Sequence, residues 1–382
     1  MAHRLLQKPV RALRREVWHR RLPHGLFSLR YLWPGGDPRI RQHRDLWWQA
    51  GARWPRSVWL LLQLFLWLRW QLVAGPRLCF RTWQRWRRDE PDRYPLSALR
   101  CLLGLSLGWC IPPQACRRFD LLEHPERALD YVHDHELPAW HARRNAERGS
   151  YREAARLLQD KQSLAQHLAQ ADIPVVGTLH ALPQTTHAKS LVTLIDPPSP
   201  VFCKTRSGNQ GRGAFAAWPD PGDSGIWQGQ TFAGEPLLDT VAVETAWQRL
   251  CGLDQVLVQP RLGNHPAIAH LTGGDEAITV RYITVWRDGQ VDCLSTVLEV
   301  PISPDSTGKG PRYGILPIDA TTGQVQPWPH PRRGSRAWIA PLERLEAELR
   351  HLPPLPDWAR LVGASGRAQA LFPTIWAIAW DW

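Results

Sequence analysis

Lysine is scarce in this chain, although the chain is strongly basic. Of its 47 Lys+Arg residues in 382, only five are lysines: Lys8, Lys161, Lys189, Lys204 and Lys309. Arginine supplies nearly all the positive charge, so lysine does not serve as general surface filler. The position of each lysine therefore points to a specific role.

Several familiar motifs are also missing. The seven cysteines are odd in number and scattered, and none forms a C-x-x-C pair, so neither a zinc site nor a disulfide framework is supported and a reducing, cytoplasmic setting is favoured. The N-terminus lacks an apolar run followed by a small-residue cleavage site, so no signal peptide is predicted. Neither a P-loop nor a dinucleotide-binding fingerprint is present.

Positive charge is concentrated at the front of the chain. Residues 1–150 hold 27 Lys+Arg against 13 Asp+Glu, whereas the remainder holds 20 against 22. Ten of the 22 tryptophans precede position 100. A basic front predicts an anionic partner such as membrane lipid, nucleic acid or an acidic polymer. The absence of any nucleic-acid-binding motif disfavours nucleic acid.

The most apolar segment covers residues 57–75. Its uninterrupted run is shorter than the roughly 18–20 residues of a spanning helix, and Arg69 lies within it. A helix of this kind, rich in tryptophan and basic at both ends, is typical of the membrane interface. The alternative is a buried core helix. The flanking arginines are Arg53, Arg56, Arg77, Arg81, Arg85, Arg87 and Arg88.

Four histidines between residues 124 and 141 invite a metal interpretation. They lack H-E-x-x-H spacing and carboxylates at fixed offsets, so a solvated helical face is predicted instead. The four are His124, His133, His135 and His141.

Hydrophobic periodicity predicts an α+β protein with mostly antiparallel strands. The spacing is helical over 119–170 and then becomes short and alternating. We expect a mainly helical, Trp/Arg-rich region over 1–120 and a second domain over 121–382. Strands are predicted at 173–176, 191–195, 201–203, 256–258, 278–285 and 293–298, helices at 240–251, 336–351 and 357–371, and loops at 216–236 and 301–313.

A glycine-rich turn follows the strand that carries Lys204. Gly208, Gly211 and Gly213 follow within nine residues of that lysine. Glycine lets backbone N–H groups approach an anion, and the lysine adds a point charge, so this stretch suits phosphate. The alternative is a glycine-rich hairpin tip with a solvated lysine.

Six segments then occur in an informative order. They are Asp160-Lys161, residues 171–175, the Lys204 strand with its turn, residues 256–266, residues 279–285 and residues 372–381. Over roughly 155–382 this order resembles the ATP-grasp superfamily, most closely its sugar-transfer-associated branch related to α-L-glutamate ligases. The resemblance implies two α+β lobes that clasp ATP, one over about 155–260 and the other over about 261–382.

The resemblance also implies roles for individual residues around ATP. Lys161 and Lys204 would hold the α- and β-phosphates, and the three glycines would close over them as a flap. Gln259, Arg261 and Leu262 would line the strand that contacts adenine. Gln259 replaces an acidic residue of many relatives, and the neighbouring Pro260 lacks a backbone donor.

Two further residues match the catalytic end of the family pattern. Arg281 would steady the γ-phosphate and an acyl-phosphate intermediate. Asp381 matches the first of three Mg²⁺ ligands, but the family's following strand with its Glu-x-Asn is not present before the chain stops at Trp382. We therefore expect an incomplete magnesium site, a missing last strand and a chain truncated relative to the family. Glu299 is a candidate to face the same site.

The leading hypothesis is an ATP-dependent carboxylate ligase. It would use ATP and Mg²⁺ to join an unidentified carboxylate to an amine or similar nucleophile, in cell-surface polysaccharide or glycan modification. Its basic front would place it at the inner membrane face, beside glycan-assembly proteins. The alternatives are a nucleotide-binding scaffold that has lost turnover and a membrane-peripheral interaction protein.

Overall fold

The computed structural model describes residues 27–33, 35–208, 211, 213–223, 225–232, 234–272, 276–302, 313–328 and 336–382. The chain divides into two compact units, one of residues 1–147 with 333–336 and one of residues 148–332 with 337–382. Helices and two antiparallel sheets together confirm the α+β class. Most of the loop predicted at 301–313 lies outside the described residues.

The described part of the first unit is helical. Its α-helices are α1 (Pro38–Ala50), α2 (Arg56–Arg69), α3 (Gly75–Asp89), α4 (Leu96–Trp109), α5 (Pro113–Arg118) and α6 (Leu137–Ala146). A π-helical segment, Trp70–Ala74, joins α2 to α3, so that Arg56–Arg88 is one continuous helix. Pro76 has no N–H to donate to the preceding turn, and such a gap favours local π geometry.

Buried tryptophans hold this unit together. Trp47 and Trp70 are fully buried, as is Tyr31. The Trp70 indole donates to the carbonyl of Ser106 at 2.7 Å, so burial leaves its polar group satisfied. Part of the tryptophan richness near the front of the chain is thus explained by a packed core.

The histidine prediction is wrong for two of its four members. His133 and His135 are buried, whereas His124 and His141 are exposed. The segment turns inward because the buried Glu136 carboxylate accepts hydrogen bonds from the His133 backbone N–H at 2.9 Å and pairs with His43 Nδ1 at 2.7 Å.

The second unit contains a six-stranded antiparallel sheet. Its strands are β1 (His180–Leu182), β2 (Val201–Thr205), β3 (Phe215–Pro219), β4 (Trp227–Thr231), β5 (Pro236–Leu237) and β6 (Val256–Pro260), in the order β1-β6-β2-β3-β4-β5. One face packs around Val201, Cys203 and Val258 against helix α10 (Thr240–Leu253). The predicted strands at 201–203 and 256–258 and the helix at 240–251 are confirmed.

A four-stranded antiparallel sheet follows in the same unit. Its strands are β7 (Thr279–Arg287), β8 (Gln290–Pro301), β9 (Tyr313–Pro317) and β10 (Ala377–Asp381), in the order β10-β7-β8-β9. Helices α12 (Arg336–Leu349) and α13 (Trp358–Ala370) confirm two predicted helices. Helices α7 (Arg152–Gln159) and α8 (Lys161–Ala169) share an apolar cluster with α13 and β10.

Three predictions in this unit are wrong. Residues 191–195 form a short helix, α9 (Leu191–Leu194), because Ser190 caps it by accepting from the Thr193 N–H. Residues 173–176 form no strand. The predicted loop at 216–236 contains most of β3 and all of β4, whose alternate residues are buried despite a glutamine-rich sequence. Helix α11 (Pro266–Ala269) follows β6.

Candidate anion-binding site

Lys204 lies in the middle of the six-stranded sheet, on the face away from the core. It pairs with Leu257 of β6, while its neighbour Cys203 points into the apolar cluster. The Lys204 side chain is half-buried, and no hydrogen bond or ion pair joins it to the described residues. A half-buried charge without a partner is costly, which makes this ammonium a candidate for binding an anion.

Lys161 begins helix α8 and reaches the glycine turn. Its Nζ donates to the carbonyl of Thr205 at 3.1 Å and to that of Gly208 at 2.7 Å. An ammonium has three protons, so one donor of Lys161 remains for a ligand. The two lysines therefore lie near each other, at the end of β2 and the start of its turn.

Burial disfavours the charged form of both lysines. Burial lowers the pKa of Lys204, and the like charge of Lys161 lowers it further. Burial also lowers the pKa of Lys161, against the opposing effects of Asp254 and Asp160. A bound anion would relieve both penalties, because it supplies the missing negative charge.

An ion pair fixes the start of α8. Asp160 caps the helix by accepting from the N–H groups of Gln162 and Ser163, both at 3.2 Å. Its two oxygens also accept from Arg206 Nε at 2.8 Å and Nη2 at 2.6 Å. The Arg206 guanidinium thereby holds the pKa of Asp160 well below its usual range. Sequence reasoning missed Arg206, although the Asp-Lys-Gln-Ser start signals a capped helix.

The glycine turn needs its glycines for two reasons. Gly208, Gly211 and Gly213 all have positive φ, at 92°, 61° and 72°. A Cβ on Gly211 would also overlap the ring of Phe232. The turn is held further by a hydrogen bond that the Ser207 hydroxyl donates to Asp254.

The three residues predicted to contact adenine lie at the end of β6. Gln259 is buried, and its Nε2 donates to the carbonyl of Val176 at 3.1 Å. Arg261 lies over the Trp218 ring, 4.4 Å from its centroid, and Leu262 is exposed. Gln259 follows Leu257 by two residues, so it shares the Lys204 face of the sheet. Trp218 was missed because its strand was predicted to be a loop.

Arg281 and Asp381 meet on the four-stranded sheet, where they are cross-strand partners. Arg281 Nε donates to Asp381 Oδ1 at 2.8 Å, and Arg281 Nη1 lies 2.8 Å from Glu299 Oε1. Glu299 pairs with Thr279, two residues from Arg281, so all three side chains share one face. The guanidinium lies between two carboxylates.

These two carboxylates are the acidic groups that could serve a magnesium ion. Mg²⁺ commonly takes one or two carboxylates together with phosphate oxygens and water, and Asp381 with Glu299 fits that donor set. Both pair with Arg281, so the guanidinium would compete with a metal ion for these carboxylates. Within the described ranges, no group of three or more His, Cys, Asp or Glu side chains is arranged to hold a metal.

The geometry thus gives a lysine pair beside a glycine turn on one sheet and an arginine between two carboxylates on another. Comparison with known proteins adds no identity: no family model matches the chain, and no curated protein matches it at a significant level.

Proposed function

We propose that the second unit binds ATP through its phosphate groups, between Lys161, Lys204 and the glycine turn. The observation that carries this proposal is the half-buried Lys204 ammonium, which has no partner among the described residues and lies within electrostatic range of Lys161. Two adjacent ammonium groups suit a polyphosphate, since each can face a different phosphate. The ATP-grasp resemblance names the same two lysines.

The reaction we propose is ATP-dependent ligation of a carboxylate. A substrate carboxylate oxygen attacks the γ-phosphorus, the bond to the β-phosphate oxygen breaks, and ADP leaves. An amine then attacks the acyl carbon, loses a proton and displaces phosphate. Arg281 would stabilise the negative charge on the transferred group. Asp381 and Glu299 would hold Mg²⁺, which supplies charge neutralisation when bound. The substrate class we propose is cell-surface glycan.

A second candidate is a nucleotide-binding scaffold without turnover. The pairing of both Asp381 and Glu299 with Arg281 favours it, because each carboxylate already has a cationic partner that competes with a metal. Nucleotide binding is common to both candidates, whereas ADP release separates them.

The test is thermal unfolding of the full chain with and without Mg-ATP. At a hundredfold excess over Kd, a ligand adds about 2.7 kcal/mol to the free energy of unfolding. For a unit of this size we expect the Tm to rise by about 5–10 °C. Lys204→Met and Lys161→Met should each remove most of that rise.

Lys189→Met is the matched control, because Lys189 is an exposed lysine of the same unit. It should keep the full rise in Tm. Equal protection of all four proteins by Mg-ATP, or protection of none, would reject nucleotide binding at the lysine pair. Protection without ADP release across a panel of carboxylates and amines would favour the scaffold.

We propose a cytoplasmic location, peripheral at the inner membrane face. ATP is available in the cytoplasm, and all seven cysteines carry free thiols. The membrane part of this proposal concerns the first unit.

A further inference from the structure

The continuous helix Arg56–Arg88 exposes an apolar strip. Its six defining residues lie along α2 and the π-helical segment, three or four positions apart except for the adjacent pair Leu64 and Phe65: Val58, Leu61, Leu64, Phe65, Leu68 and Leu72. Leu61 is 68% exposed and Leu72 76% exposed, so the strip faces solvent. Large apolar side chains grouped in this way on a surface mark an interaction site.

The opposite side of the same helix is packed in the core. Trp59, Leu62 and Leu66 belong to the apolar cluster of the first unit. The helix has the length and composition to cross a membrane, with 28% of its most apolar window buried. Because one face of the helix packs in the protein core, only its exposed face is available to lipid. The strip from Val58 to Leu72 is also only about 21 Å long, shorter than the hydrocarbon layer.

Exposed arginines follow the apolar strip along the same helix. Arg77, Arg81, Arg85 and Arg88 lie three or four residues apart, are exposed, and have no ion pair or hydrogen bond to the described residues. No aspartate or glutamate occurs between Arg56 and Arg88. An apolar strip that continues into unpaired arginines is complementary to acyl chains beneath anionic headgroups.

A cleft extends the apolar surface beside the strip. It has a volume of about 590 Å³, and Trp33, Trp67 and Leu107 contribute to its lining together with Arg30. Trp33 is 77% exposed. Exposed tryptophan beside arginine is the pairing found at the level of lipid headgroups.

We propose that the apolar strip lies in the plane of a membrane surface, inserted at the acyl boundary of an anionic bilayer, with the four arginines contacting phospholipid headgroups. This surface belongs wholly to the first unit and does not depend on nucleotide binding.

The test is flotation of the full chain with phosphatidylcholine vesicles, with and without phosphatidylglycerol. We expect binding to the anionic vesicles at low salt, weaker binding at high salt, and little binding to phosphatidylcholine alone. The double variant Leu61→Glu/Leu68→Glu should bind at least about tenfold more weakly. Leu238→Glu is the control, since Leu238 is 76% exposed in the second unit, and it should bind like the wild type.

Two further variants guard against misfolding of the double variant. Leu72→Glu changes a single exposed residue and should also weaken binding. Arg77→Ser/Arg81→Ser/Arg85→Ser should reduce binding at low salt by about fivefold per arginine and weaken its salt dependence. Wild-type protein that stays in the aqueous phase with anionic vesicles overturns the proposal. So does a wild-type dimer that Leu61→Glu/Leu68→Glu dissociates, because a second copy would then cover the strip.

Discussion

The two compact units use positive charge in different ways. In the first, the cations are arginines exposed along a helix, as at Arg77, Arg81 and Arg85. In the second, the informative cations are two lysines, Lys161 and Lys204; burial disfavours the charge of both, and the charge of Lys161 also disfavours that of Lys204. The arginines of the first unit are spread over a surface that water solvates. The two lysines of the second unit lie close together where water is partly excluded.

The difference indicates two kinds of anionic partner. An exposed row of arginines suits a surface on which negative charge is distributed, and its attraction weakens with salt. A half-buried ammonium without a counterion suits one ligand with charges at fixed positions, because only such a ligand repays desolvation. Positively charged side chains thus favour a lipid surface in the first unit and a polyphosphate in the second.

The largest effect on stability should come from the glycine turn. Gly211→Ala places a side chain at positive φ and against the Phe232 ring. We expect the free energy of unfolding to fall by about 2–4 kcal/mol, with loss of Mg-ATP protection. Urea unfolding measures the first effect. Unchanged stability would show that the turn is not held as described, whereas Gly104→Ala, at an open helical position, should be tolerated.

A smaller effect should follow loss of the ion pair that orients Lys161. Asp160→Ala removes the cap of α8 and leaves Arg206 without its carboxylate, so we expect a loss of about 1–3 kcal/mol. Asp160→Asn keeps a capping oxygen and should lose less. Urea unfolding of the three proteins at neutral pH makes the comparison.

The Asp160–Arg206 ion pair should also make stability depend on pH in the acidic range. Folding lowers the pKa of Asp160, so its ionised carboxylate stabilises the folded state. This stabilisation is fully present above the unfolded-state pKa of about 3.9, and it is lost as the pH falls toward the lower folded-state pKa. Stability of the wild type should therefore fall below about pH 4, and Asp160→Ala should lose less over that range. Parallel curves for the two proteins would contradict this account.

Single exposed cations should affect stability least. Arg281→Ala breaks half-exposed ion pairs to Asp381 and Glu299, so we expect a change below about 1 kcal/mol. Arg81→Ser should stay within about 0.5 kcal/mol. If the ligase proposal holds, Arg281→Ala nevertheless abolishes ADP release while retaining thermal protection by Mg-ATP. A large loss of stability in either variant would contradict the distinction between exposed, solvated arginines and partly buried lysines.

The lysine pair was proposed from the ATP-grasp resemblance, and the rarity of lysine in the sequence supported that choice. The strands with clear alternation, such as β2 and β7, were also predictable. Residues 191–195 were not, because a short apolar run has the same pattern in a strand and a helix, and the Ser190 cap decides. The burial of His133 was hidden as well, since it depends on Glu136 and on His43 from another helix.

Contacts between residues far apart in the sequence could not be predicted from it. Spacing alone could not predict that Arg281 lies between Asp381 and Glu299, because strand pairing brings them together. The contact of Arg261 with Trp218 depends likewise on a strand whose glutamine-rich sequence resembles a loop.

The most direct test of the account is the stability of Lys204→Met with and without Mg-ATP, beside wild type and Lys189→Met. Folding lowers the pKa of Lys204, so the unfolded state binds more protons and wild-type stability should rise with pH just below the ordinary value of 10.5. Without nucleotide, Lys204→Met should be as stable as wild type or up to about 1 kcal/mol more stable, with a flatter pH curve. With Mg-ATP, only wild type and Lys189→Met should gain about 5–10 °C in Tm. A Lys204→Met protein that is protected as well as wild type would contradict the claim that this half-buried ammonium holds a nucleotide.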